Sequence, residues 1–359
     1  MIVHVIQFAL LCALLIVLPL LPALLEWRLK RDAQPLRVVR AYDGNIKHFA
    51  SGFRQFLRQR MPGLMGSREA SGEPLDPGTF QLVAAGAGAR FQHEEVLGRS
   101  TQRMVLSAGD LALGEGMLYE KELYCAAALV AGERNSFRAI LAVGDLTLGG
   151  DCAVFRWAHS DACISIGPRA RLYGRISAEG QIALQAGTRF GRMAAPLIRF
   201  GMAEPMLPRL PSGGAALALP GDILDQSDSR WLVAGPLEVP AHARHEGNLV
   251  SRKHASVGAS CHLLGDIKSN GDLAIASDVI ITGAVVATGT LVIGARCHIA
   301  GPIVCDGQIV IGHGSVIGSP EQPTTVTAAE IRIDEGVLAY GTVWAREVGV
   351  VTSAQAARP

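Results

Sequence analysis

Two Cys-His dipeptides, Cys261-His262 and Cys297-His298, stand 36 residues apart, and another histidine follows at 313. A thiolate with an imidazole is part of a zinc donor set, and a surface histidine such as His298 or His313 is the side chain that would deprotonate an acceptor in acyl transfer. Either chemistry depends on the spacing that the surrounding elements impose. No P-loop, no GxSxG elbow and no HExxH appears. The Gly-Asp-Leu triplets at 109, 144 and 271 lack the nonapeptide aspartate ladder of a calcium-binding roll.

The positioning elements show as a repeat. Alternating apolar pairs fall at Leu237/Val239, Ala255/Val257, Leu273/Ile275, Leu291/Ile293, Ile309/Ile311 and, after a four-residue insertion, Ile331/Ile333. The period is 18 residues, and Ile281 and Ile299 form another column on it. Gly247, Gly265, Gly283 and Gly301 keep the same clock, as do Gly271, Gly289 and Gly307, and such columns are expected where the backbone turns. Leu111/Leu113, Leu129/Ala131, Leu146/Leu148, Ile164/Ile166 and Ile182/Leu184 repeat more loosely, with one step of 17. Phe200/Met202 also fits the period. Alternation by two with glycine corners is strand spacing, and 18 residues make one coil of three short strands, so the expected fold is an all-β parallel β-helix.

This architecture decides both chemical questions. Two coils separate the Cys-His pairs by about 9.6 Å, twice the strand spacing, whereas two ligands of one zinc lie within roughly 4 Å of each other. Cys261 and Cys297 share the strand face of Leu263 and Ile299, which assigns them to the core. The uncharged stretch 279–295 is long enough to raise the question of a membrane span, but its apolar residues keep the 18-residue columns of their charged neighbours. Positions 275, 281, 287, 293, 299, 305, 311 and 317 read Ile, Ile, Ala, Ile, Ile, Cys, Ile, Ile. They resemble the left-handed β-helix of hexapeptide-repeat acyltransferases, although only Ile293, Ile311 and Ile317 are followed by the glycine common there. An acyltransferase acting on a sugar or lipid precursor, with His298 or His313 as base, is therefore the alternative; the leading expectation is a non-enzymatic chain with no catalytic residue, cofactor or metal.

Composition agrees with a narrow, regular interior: aromatics are 5% and glycines number 41 among 359 residues. The 33 basic and 32 acidic side chains nearly cancel, so no whole-chain field points to nucleic acid. Seven cysteines without CxxC or finger spacing read as reduced, mostly buried small hydrophobes of a cytoplasmic protein.

The first 25 residues carry no Asp, Glu, Lys or Arg, which suffices for an N-terminal transmembrane helix. Arg28, Lys30, Arg31, Arg37 and Arg40 follow it and place the C-terminal side in the cytoplasm. Residues 26–60 carry nine basic and three acidic side chains, with Ile46, Phe49, Phe53 and Leu57 on one helical face. This helix either lies on the anionic inner leaflet, with Lys47, Arg54 and Arg58 joining the membrane contacts, or packs on the following domain. Residues 61–79 read as a flexible linker, 80–201 as an irregular solenoid, 202–230 as a Pro/Gly-rich insertion or hinge, 231–343 as a regular solenoid and 344–359 as a C-terminal tail.

The text "GDIKSNGDLAIASDVIITGAVVATGTLVIGARCHIAGPIVCDGQIVIGHGSVIG", with Gly-x-Ile/Val-x-Ser/Ala followed by Gly-x-Leu-x-Ile, resembles the bactofilins, bacterial polymer-forming cytoskeletal proteins. The resemblance spans about 237–343 and is weaker over 105–200. It implies a right-handed parallel β-helix that assembles end to end, is membrane-associated, and scaffolds cell-envelope or exopolysaccharide machinery, with itself and the bacterial inner membrane as partners. The anchor, the linker and the second array depart from the usual single solenoid between tails, and either the insertion or the tail is in a position to cap an end.

Overall fold

The structure is a computed structural model that describes residues 6–8, 11, 18, 45–64, 76–83, 99–202, 215–217, 223–227 and 230–353. The chain divides into two compact units, Met1–Asn45 and Ile46–Pro359. In the first, residues 6–8 and 11 are helical, and Ile6, Phe8, Leu11 and Leu18 are exposed. Among the described residues no helix is long and apolar enough to cross a membrane. Most of segment 1–25 lies outside the described residues, as do Arg28, Lys30, Arg31, Arg37 and Arg40.

Among the described residues the second unit holds one α-helix, His48–Arg60, a 3-10 turn, Pro77–Thr79, and a parallel β-solenoid of about 13 turns. Its register follows the sequence columns. Leu237 pairs with Ala255, Ala255 with Leu273, Leu273 with Leu291, Leu291 with Ile309, and Ile309 with Ile331. Val239, Val257, Ile275, Ile293, Ile311 and Ile333 form the parallel column two residues on, and Leu263, Ile281, Ile299 and Ile317 line a second wall. All are buried, whereas the residue between each pair faces outward, as Ala274 does between Leu273 and Ile275. Each buried Leu, Ile or Val stabilises the rod by about 1.5–3 kcal/mol, so alternation by two, repeated every coil, specifies the tube.

In the first half Leu111, Leu129, Leu146, Ile164 and Ile182 stack as expected. The next step differs: Ile198 and Phe200, and not Phe200 and Met202, sit opposite Ile182 and Leu184, leaving Met202 exposed. The coil is two residues short there: one residue is lost at the register shift between Leu172 and Arg175, the other where the unbroken Arg189–Phe200 strand crosses the next corner.

The corners correct the expectation for glycine. Of the predicted turn glycines only Gly247 and Gly265 have positive φ, whereas at Gly283, Gly301 and Gly307 a Cβ would overlap the carbonyl of Gly265, Gly283 or Gly289 in the coil before. These columns record close approach of successive backbones. Positive φ belongs to a different corner, where Arg134, Asp151, Arg169, His242, Ser260, Asp278 and Arg296 take φ of 55–63°. Stacked members pair there: Arg169 holds Asp151 and Arg296 holds Asp278, each by two hydrogen bonds.

The Gly-Asp-Leu triplets also have a structural explanation. Asp110, Asp145 and Asp272 accept the backbone N–H of Ala128, Cys163 and Thr290, each 18 residues ahead, at 3.0, 3.0 and 2.6 Å. Just before them, the buried Ser107 and Ser269 hydroxyls donate to corner carbonyls. The aspartate is thus a clamp between coils.

Candidate functional site

The two halves meet through their last strands. Arg189–Phe200 pairs antiparallel with Val337–Thr352, joining Ile198 to Ala339, Phe200 to Val337 and Met193 to Val343. Val337–Thr352 also runs parallel to Thr324–Asp334 below it. Residues 344–352, expected as a tail, are therefore the last coil of the second half and seal it against the last coil of the first. Phe190 lies tilted against Phe200 with ring centres 5.9 Å apart, and Gly349 lies so close to Phe190 that any side chain would overlap the ring.

Because the C-terminal edges face each other, the first coil of each half is the outermost. In the second half that coil carries partial cover, with Ala215–Ala216 pairing on Ala243–Arg244 and the hairpin Ile223–Ser227/Arg230–Val233 placing its second strand on Asn248–Ser251. The insertion 202–230 therefore supplies strands to the outer coil. In the first half Phe80–Val83 lies along Met104–Ser107.

The helix His48–Arg60 packs on the wall of the first half. Ala50 and Leu57 are buried against Leu106, Tyr124, Leu141 and Trp157, with Phe53 5.8 Å from the Trp157 ring. Of the predicted membrane contacts, Lys47 binds Glu179 at 2.7 Å and Arg54 binds both Asp161 oxygens at 2.6 and 2.8 Å. Both serve the docked helix, while Arg58 stays exposed.

Beneath Arg54 lies a group that the repeat analysis missed. His159, 4% exposed, places Nδ1 2.8 Å from the Ser177 hydroxyl and Nε2 3.1 Å from Asp161. Ser, His and Asp are the residue types of a hydrolytic triad. Ser177 is 2% exposed and closed to a substrate, so the group acts as a polar latch for the helix. Burial depresses the His159 pKa and outweighs the opposing attraction of Asp161 and Glu179. The available signal was His159-x-Asp161 one coil before Ser177-x-Glu179.

The chemistry-bearing residues of the second half are dispersed. Cys261 and Cys297 are buried and donate to the Pro240 and Ala276 carbonyls at 3.0 and 3.1 Å, as core thiols. Burial pushes the Cys297 thiol up to about 11. Cys125, Cys152 and Cys305 are also buried, and Cys163 is exposed. His298 sits half-buried on a strand and His313 is exposed at a corner. Among the described residues no group of three His, Cys, Asp or Glu could hold a metal ion. No family model, curated protein or solved structure matches the chain.

Proposed function

We propose that this chain is a non-enzymatic, bactofilin-like scaffold, anchored in a bacterial inner membrane by residues 1–25, with its solenoid on the cytoplasmic side. The observation that carries this reading is the joined rod. Two register-locked solenoids abut through their C-terminal coils, so a stiff body presents a first coil at either end and regular walls between. A coil edge has backbone groups and apolar cross-section that a second copy covers by stacking, which supports self-association through the ends. The walls support the second part of the proposal, which is to position cell-envelope or polysaccharide-building machinery.

The coil is right-handed in this reading, following the usual hand of parallel crossovers. The anchor rests on the uncharged first 25 residues and the basic residues after them. Sedimentation of the full chain in detergent micelles tests the assembly. Mass rising with protein concentration is expected, and a single protomer per micelle across the accessible range would refute self-association.

A further inference from the structure

Beside the docked helix the wall opens into a cleft of about 600 Å³, within the range of small-molecule sites. Four arginines converge on it from separate elements: Arg156, Arg175 and Arg192 from three successive coils, and Arg346 from the last strand. Glu347 is the one carboxylate among its lining residues. The lining also includes Phe49 at the start of the helix, Tyr173, and Trp344 at the junction.

The backbone is shaped to make this space. The pairing of the Arg171–Ala178 and Arg189–Phe200 strands shifts between Leu172 and Arg175, and the next pairing shifts between Phe190 and Arg192. Opposite that second shift, residues 345–348 fall between the partners Trp344 and Gly349 and form the rim. Gly174 presses so closely on the Arg156 carbonyl that no side chain fits, leaving bare backbone between the arginines. Irregularities of pairing are common where a strand re-aims a side chain beside a functional site.

Several arginines elsewhere on the rod are ion-paired. Arg54, Arg134, Arg138, Arg169 and Arg296 each bind a carboxylate. Among the described residues Arg156, Arg175 and Arg346 form no such salt bridge; Arg346 donates to the Asp306 carbonyl at 2.6 Å. Arg175 instead lies over the Phe49 ring at 4.7 Å and Arg192 over Trp344 at 5.1 Å. Arg175, stacked on an aromatic face, offers its in-plane N–H groups to an acceptor, and its fork matches phosphate oxygens. Tyr173, 61% exposed, stacks on Phe155 with centres 5.7 Å apart and planes 1° from parallel, giving a flat apolar platform next to the cationic floor.

We propose that this cleft binds a phosphate-bearing ligand, a phosphomonoester or diphosphate whose ring or alkyl portion rests on the aromatic side. The ligand is either an anionic lipid headgroup or a soluble phosphorylated molecule, and the same guanidinium chemistry serves both. The inference stands on the cleft alone and does not depend on the anchor or on self-association.

Titration calorimetry of the full chain in neutral phosphatidylcholine nanodiscs, with inorganic pyrophosphate as the probe, tests it. Saturable binding is expected. The double variant Arg156→Gln/Arg175→Gln is expected to lower affinity by at least about tenfold, the loss of one charge-assisted contact. Arg252→Gln/Lys253→Gln, on the exposed surface of the second half, is expected to bind as the parent does. Unchanged thermal melting of both variants establishes that they are folded. Absence of saturable binding by the parent overturns the proposal, as does equal binding by the Arg156/Arg175 variant, which would put the anion on the basic segment after residue 25. Flotation with phosphatidic acid vesicles separates the sources. Vesicle binding that pyrophosphate competes away and the double variant weakens identifies a headgroup; pyrophosphate binding with no such vesicle dependence identifies a soluble ligand.

Discussion

His159 is where a single residue bears on the docking of the helix. Its ring faces Ser177 and Asp161, with Glu179 at 3.9 Å and Arg54 beyond Asp161 on the helix. Its folded pKa lies below the unfolded value of about 6.5, so between the two values the unfolded or undocked form binds more protons. Helix docking is therefore fully stable above about pH 6.5 and weakens as pH falls below that value. The protection factors of residues 48–60, hydrogen-exchange rates corrected for the intrinsic base-catalysed rate, are expected to fall from pH 7.5 to 5.5 in the parent and to lose most of that dependence in His159→Gln. Asp161→Asn removes the carboxylate that Arg54 grips, and should weaken docking by about 1–2 kcal/mol at neutral pH, read from the same exchange rates. At the thiols, alkylation of the native chain should mark Cys163 and spare Cys297 until unfolding, as mass spectrometry of the labelled peptides will show; equal labelling would contradict the buried assignment.

At the scale of elements, the coil is held by columns whose members act on the coil before or after their own. Gly301→Ala would drive a methyl into the Gly283 carbonyl, and that backbone is fixed by pairing on both sides. A loss of about 1–3 kcal/mol is expected from overpacking, seen as a lower thermal midpoint. The 18-residue period made the strands legible: Leu273, Leu291 and Ile309 point inward because alternation by two permits no other face. The corners were not legible, since the residues at φ near 60° are Arg, Asp, His and Ser, which carry no glycine signature. Nor was the role of the charged helix. No spacing in the sequence pairs Lys47 with Glu179 or Arg54 with Asp161, each over 100 residues away. A spacing pattern reports which residues stack, but not that Arg54 of the helix or Arg346 of the last strand completes the latch and the arginine cleft.

At the scale of the molecule, the antiparallel junction determines what remains for partners. Sequence columns identified two arrays, but joining them end to end needs Arg189–Phe200 against Val337–Thr352, a pairing between segments with no common period. The joined body of about 13 coils extends roughly 60 Å at the strand spacing of 4.8 Å. With both C-terminal edges consumed, the proposed self-association is left the first coils or the walls. Electron cryotomography of the full chain reconstituted into bacterial-lipid vesicles tests this most directly. The scaffold account predicts membrane-bound rods of that length whose ends meet between copies as surface density rises; rods that remain separate at every density, or two solenoids hinged apart at their midpoint, would contradict it.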